Sequence, residues 1–168
     1  RRSTLGLVAG AVFAPAIVRA QSYPSKTITL VVPYPAGGPT DAIARFAAQD
    51  LSTSIGQNVV VDNRAGAGGT LGAAQVAAAT PDGATVLVHS AGHVANAALY
   101  PKLKYDTLKD FTPVSLLATL PNVLVVAPAS QVGSVGELLK KVKANPGKMT
   151  YASAGNGSAT HINAEKFR

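Results

Sequence analysis

Three short segments of this chain carry residue types suited to binding a charged small molecule through the main chain. They are Ala36-Gly37-Gly38-Pro39-Thr40-Asp41, Ser90-Ala91-Gly92-His93 and Ser153-Ala154-Gly155-Asn156-Gly157-Ser158-Ala159-Thr160-His161. Each follows an apolar run, is rich in Gly and other small residues, and leads into a helix start. The first turn of a helix has N–H groups without an intrahelical partner, and the dipole adds partial positive charge there. Glycines without side chains let a carboxylate or another anion come close to such a turn. One loop of this kind is more often a plain turn; three on one sheet edge point to anion binding. His93 and His161 add side chains able to donate or accept a hydrogen bond, and a structural role serves each equally well. Asp41 lies just inside a helix start, where capping accounts for it.

Other chemistries fail on spacing. Gly66-Ala67-Gly68-Gly69-Thr70-Leu71-Gly72 follows a strand pattern and opens a helix, but Leu71 occupies the third-glycine position of G-x-G-x-x-G. No acidic residue stands about 20 positions on to hold a ribose. Val88-His89-Ser90-Ala91-Gly92 and Val132-Gly133-Ser134-Val135-Gly136 have Val where a nucleophile elbow has its first Gly. Gly147-Lys148 is followed by Met149, so there is no phosphate loop of the Walker type. His89 and His93 stand four apart, but Gly92 between them argues against one helical metal-binding face, and no metal site is expected. With no Cys in the chain there is neither a disulfide framework nor a thiolate ligand or nucleophile. No cofactor is expected, and no catalytic residue is assigned.

The elements that must hold the three loops follow from period and turn chemistry. Thr27 to Val32 reads as a strand, and Ala42, Ile43, Phe46, Ala47 and Leu51 recur at helical spacing until Gly56. Val59-Val60-Val61 is a second strand, Leu71 to Ala79 an Ala-rich helix, and Ala84 to His89 a third strand after the turn Pro81-Asp82-Gly83. Val114 to Thr119, Val123 to Val126 and Met149 to Ala152 are read as further strands. Ser134 and Glu137 form a capping box for a helix with Leu138, Leu139 and Val142 on its apolar side, stopped by Asn145-Pro146-Gly147. Strands alternating with helices predict an α/β fold with a mainly parallel sheet.

Composition narrows the partners. The chain has 168 residues, 47% hydrophobic and 14% charged, which excludes a disordered polymer. Its net charge is +7, but three of the fifteen basic residues, Arg1, Arg2 and Arg19, lie in an N-terminal segment with the order of a secretory signal. There the apolar run Leu5 to Val18 is too short to span a bilayer, Pro15 interrupts it, and cleavage after Ala20 exposes Gln21. The paired arginines also fit a twin-arginine signal, so export by that or the general secretory route is expected. Lys140, Lys141 and Lys143 make the only basic cluster and no aromatic residue interleaves with it, so nucleic acid is not expected as a partner. Lacking an initial Met and a stop signal after the last helix, the chain reads as a fragment at both ends.

Several stretches together resemble a known family. They are Val32-Pro33-Tyr34-Pro35-Ala36-Gly37-Gly38-Pro39-Thr40-Asp41, Val61-Asp62-Asn63-Arg64-Ala65-Gly66-Ala67-Gly68-Gly69 and Tyr151-Ala152-Ser153-Ala154-Gly155-Asn156-Gly157-Ser158, with Tyr23-Pro24, Leu99 to Asp106 and Asn122 to Val126 in support. They are similar to the Bug-type extracytoplasmic solute receptors of tripartite tricarboxylate transporters. Ala65 and Tyr34 depart from the residues the family often has. The resemblance implies a Venus-flytrap fold related to type II periplasmic binding proteins, here the first lobe and the start of the second. With 1–20 already read as a signal peptide, it divides the rest into a first lobe 21–127 and a crossover with the beginning of the second lobe 128–168. It implies a periplasmic receptor, monomeric when complete, that takes a small carboxylate or similar polar metabolite in an interlobe cleft and passes it to membrane subunits. Ala36 to Asp41 and Ser153 to His161 then become the ligand loops. The competing reading is a secreted α/β enzyme holding a phosphate or dinucleotide at Gly66–Gly72.

Overall fold

The structure, a computed structural model, describes residues 23–168. The expected signal peptide lies outside the described residues. Strands β1 (Ile28–Val32), β2 (Val59–Asn63) and β3 (Thr85–Leu87) form one parallel sheet in the order β2-β1-β3. Ile28 pairs with Val59 and Leu30 with Val61 on one side of β1, and Thr29 pairs with Thr85 and Val31 with Leu87 on the other. Helix α1 (Pro39–Ile55) connects β1 to β2, and a 3₁₀ turn (Ala67–Gly69) with α2 (Thr70–Ala77) connects β2 to β3. These two connections run in opposite directions along the sheet, so right-handed crossovers place α1 and α2 on opposite faces.

Alternation along β1 supplies both faces. Ile28 and Leu30 pack with Ala48 of α1, and Ile55, Val59, Val61, Val86 and Val88 close around them. Val31 and Val32 are completely buried, as is Ala73 of α2. Because β1 is central, the loop after it and the loop after β3 leave from neighbouring carboxyl ends, where open parallel sheets bind ligands. The β3 loop leads into α3 (Gly92–Leu99), and two later helices, α4 (Val135–Ala144) and α5 (Ala159–Phe167), complete the described elements.

Three sequence expectations are corrected. Val114 to Thr119, Val123 to Val126 and Met149 to Ala152 form no strand. Their apolar, β-branched composition suits a sheet, but among the described residues no strand is paired with them, and pairing rather than propensity makes a strand. Most of their large side chains are exposed. By contrast Ser134 caps α4 as expected, its hydroxyl accepting from the Glu137 N–H at 3.2 Å, while the Glu137 carboxylate reaches one residue further back than a capping box requires and accepts from the Gly133 N–H at 2.8 Å. The lysines of α4 lie on its exposed side.

Candidate functional site

The loop after β1 is built around Asp41. Its carboxylate accepts hydrogen bonds from the Gly37 N–H at 2.8 Å, Arg45 Nε at 3.0 Å and Asn63 Nδ2 at 2.9 Å. Asn63, at the end of β2, also donates to the Tyr34 carbonyl and accepts from Arg45. The Arg45 guanidinium first, then the Gly37 and Asn63 donors, hold the Asp41 carboxyl down at about 2. This corrects the view of Asp41 as a simple cap: the N-cap residue is Gly38, and Asp41 ties the loop to α1 and β2 together. Gly37 takes up a left-handed φ of 84° and spends its N–H on Asp41. What remains for an anion is the first turn of α1, where the Gly38, Thr40 and Asp41 N–H groups have no intrahelical acceptor and Pro39 has no N–H to satisfy.

The loop after β3 joins this site through Tyr34. The Tyr34 hydroxyl lies 2.7 Å from Ser90 Oγ and 3.2 Å from His89 Nδ1. Burial raises the Tyr34 pKa against the opposing hydrogen bonds to Ser90. The Ser90 carbonyl, 2.9 Å from His89 Nδ1, can only accept, so the proton sits on Nδ1 and Nε2 is bare. Burial pulls His89 down to about 4 and lowers His93 as well. His89 and His93 are not one helical face, since α3 begins only at Gly92. Instead their rings stand 4.8 Å apart in a row running from Tyr34 through His89 and His93 to Tyr105 and Phe111. No group of three or more His, Cys, Asp or Glu that could hold a metal occurs among the described residues.

The third loop, Ser153–Ser158, folds on itself. Ser158 is the N-cap of α5, its hydroxyl accepting from the His161 N–H at 3.2 Å. Thr160 Oγ1 accepts from the Ala154 N–H, Ser153 Oγ from the Gly155 N–H, and His161 Nδ1 from the Gly157 N–H. The N–H groups of Ala159 and Thr160 in the first turn of α5 stay without an intrahelical acceptor. The loop rests against α3: the Tyr100 hydroxyl donates to the Asn156 carbonyl at 2.9 Å, beside a pocket of about 230 Å³ lined by Leu99, Tyr100, Asn156, Gly157 and His161.

The three segments are therefore joined in pairs, with Ser90–His93 and α3 as the middle member. Tyr34 links Ala36–Asp41 to Ser90–His93, and α3 links Ser90–His93 to Ser153–His161. No strand precedes the third segment, so it joins the others through α3 rather than as a neighbouring sheet loop. Sequence reasoning missed Arg45, Asn63, Asn96 and Tyr100. Arg45 was findable, because it follows Asp41 by one helical turn; Asn63 belongs to another strand and gave no local signal. The glycines of Gly66–Gly72 face protein rather than solvent. A methyl group on Gly69 would stand 2.5 Å from His89 Nε2, and one on Gly72 2.8 Å from Pro33 Cβ. Close packing against β1 and the β3 loop explains Gly69 and Gly72, while Gly66 faces Leu71 and Gly68 faces Asn156 and Tyr100, and no space for a phosphate is left on those faces.

Residues 43–168 match the model of the tripartite tricarboxylate transporter family receptor. The chain belongs to that family. It is 50% identical over 144 residues to a UPF0065 protein from the tcbD-tcbE intergenic region of Pseudomonas sp. strain P51, covering 86% of this chain and 43% of that protein. Among solved structures it superposes on R. palustris Rpa4515 with adipate at a TM-score of 0.83 and 38% identity, covering 87% of this chain and 49% of that one. It superposes on MatC from Rhodopseudomonas palustris with bound malate at a TM-score of 0.81 and 39% identity, covering 86% of this chain and 50% of that one. The chain thus spans about half the length of the relatives it matches. These likenesses bear out the expected fold class, a partial α/β domain of the periplasmic-binding-protein type, and the family resemblance read from the motifs.

Proposed function

We propose that the complete protein is an exported receptor that captures a small dicarboxylate between two lobes and delivers it to a membrane transporter. The observation that carries this reading is that Tyr34 ties the loop before α1 to the loop before α3, and the loop before α5 is seated on α3 and the 3₁₀ turn, in a chain whose structural relatives hold adipate and malate. One carboxylate of the ligand accepts from the N–H groups of Gly38, Thr40 and Asp41. The Asp41–Arg45–Asn63 network keeps that turn rigid and its own negative charge neutralised. The other carboxylate lies at the first turn of α5, with Asn156, Thr160 and His161 around it. Closure of the second lobe, which residues 128–168 begin, onto the first lobe traps the ligand. The tricarboxylate-transporter membrane subunits are the partner, the ligand needs no cofactor, and the receptor works as a monomer in the periplasm.

The test is a thermal-shift panel of dicarboxylates, monocarboxylates and nucleotides on the complete protein, joined to uptake in a strain lacking its gene. Adipate or malate should raise the unfolding temperature in a concentration-dependent way while nucleotides leave it unchanged. Loss of the gene should abolish uptake of whichever acid binds. Stabilisation by nucleotides alone would favour the enzyme reading instead.

A further inference from the structure

Gly68, Gly92 and Gly157 stand at one junction where the chain at 156–157 lies close against the 3₁₀ turn and α3. A methyl group on Gly92, the first residue of α3, would stand 2.5 Å from the Gly157 carbonyl oxygen. One on Gly157 would stand 2.5 Å from Asn96 Oδ1 and 3.1 Å from Tyr100 Cε2. One on Gly68 would fall on the Asn156 carbonyl oxygen and 3.1 Å from the Tyr100 hydroxyl. Two side chains of α3 and its C-cap, one turn apart, clamp this junction. Asn96, completely buried, donates from Nδ2 to the Gly68 carbonyl at 3.0 Å, and Tyr100 donates to the Asn156 carbonyl at 2.9 Å. The main chain at 156–157 is thereby seated directly on the main chain of the 3₁₀ turn and of α3.

Gly92 is the informative member. Gly68 and Gly157 have left-handed φ values of 64° and 83°, which call for glycine by themselves. Gly92 has no such φ and opens a helix, where alanine is the better helix former. Nothing local asks for glycine there; only the Gly157 carbonyl does. We propose that Gly92, with Asn96 and Tyr100, is the seat on which the Ser153–His161 loop closes, and that it sets the separation of the two carboxylate grips. Gly92 is then a positioning residue and not a ligand contact. A methyl group there pushes the Gly157 carbonyl back by about 1 Å to reach ordinary contact distance. A misplacement of that size is enough to spoil a grip made by directed hydrogen bonds. The inference rests on the two-lobed receptor reading above.

The test uses the complete protein, which needs no cysteine removed within these 168 residues. Cysteines replacing exposed Gln49 on α1 and Lys140 on α4 carry spin labels, and adipate and malate are the probes. In the parent, the acid that binds should shorten the label distance. Gly92→Ala should stay folded, close less far, and release the acid at least about tenfold faster, with little change in the association rate. Gly136→Ala, a helix-start glycine whose added methyl would approach nothing closer than 3.9 Å, should behave as the parent. Closure to the parent's distance with the parent's release rate in Gly92→Ala would overturn the seat. Should Gly92→Ala fail to fold, Tyr100→Phe removes one clamp bond with minimal change in shape. It should release the acid several-fold faster, and an unchanged rate would overturn the proposal. If the parent binds neither acid, the receptor reading is what fails. The seat then stands or falls on the unliganded label distance, which Gly92→Ala must lengthen.

Discussion

The same three residues, Leu-Val-Val, occur at 30–32 and again at 124–126, each time just ahead of a proline or an Ala-Pro pair. In β1, Leu30, Val31 and Val32 are 4%, 0% and 0% exposed; Leu124, Val125 and Val126 are 56%, 79% and 42% exposed. Intrinsic preference cannot separate two identical tripeptides. Position in the ladder does. Around β1 two neighbouring strands bond both sides, and α1 and α2 cover both faces. Around 124–126 no strand is bonded, and the chain runs without regular structure. An apolar β-branched run states a demand for burial, and only its partners decide whether the demand is met.

Placing a charge in each copy gives the largest contrast. Val31→Asp puts a carboxylate without a partner into a fully buried site and should cost about 4–5 kcal/mol, seen as loss of the cooperative unfolding transition of the 168-residue chain. A smaller effect is expected from the histidine at the end of β3. His89 is held neutral by burial, its pKa lowered from 6.5 to about 4. The unfolded chain therefore takes up a proton that the folded chain refuses. The contribution of His89 is complete above pH 6.5 and is lost as the pH falls from 6.5 towards 4. Denaturant midpoints across that window should drop less in His89→Gln than in the parent, and equal slopes would remove His89 from the account.

Asp41 moves the window lower. With its carboxyl lowered from 3.8 to about 2, it supports the fold fully above pH 3.8 and loses that contribution as the pH falls through about 2. Asp41→Asn should make acid unfolding of the β1–β2 region less steep, read by tyrosine fluorescence or amide exchange. The smallest effect belongs to the exposed copy. Val125→Asp should shift stability of the same chain by no more than about 0.5 kcal/mol. A loss comparable to that of Val31→Asp would break the contrast on which the comparison rests.

How much was legible in the sequence follows the same division. Strands β1 and β2, helix α1 with its stop at Gly56, and the Ser134 cap of α4 depend on spacing and on residues a turn apart, so they could be read directly. The three strands expected at 114–119, 123–126 and 149–152 depend on partners far along the chain, and their composition alone could not supply those. The site divides likewise. The loops Ala36–Asp41, Ser90–His93 and Ser153–His161 were found from their glycines and helix starts. The Asp41–Asn63 bond joins the β1–α1 segment to the far end of β2, and the Tyr100–Asn156 bond spans most of the distance from α3 to α5. Neither leaves a periodic trace. The role of Gly38 also sharpens: its φ of −77° is ordinary, and a Cβ there would lie 3.5 Å from the Pro35 carbonyl oxygen, so a side chain can be added beside the first turn of α1 without straining the backbone.

That makes Gly38→Val the most direct probe of the central claim, that the first turn of α1 grips a carboxylate. Isothermal titration of the complete protein and of Gly38→Val with adipate and malate measures it. The parent should bind at least one of the acids, and the variant, folded to the same degree, should bind it at least about a hundredfold more weakly. That figure corresponds to losing two hydrogen bonds to a charged group at about 1.5–3 kcal/mol each. Equal affinities in a folded Gly38→Val protein would contradict the account.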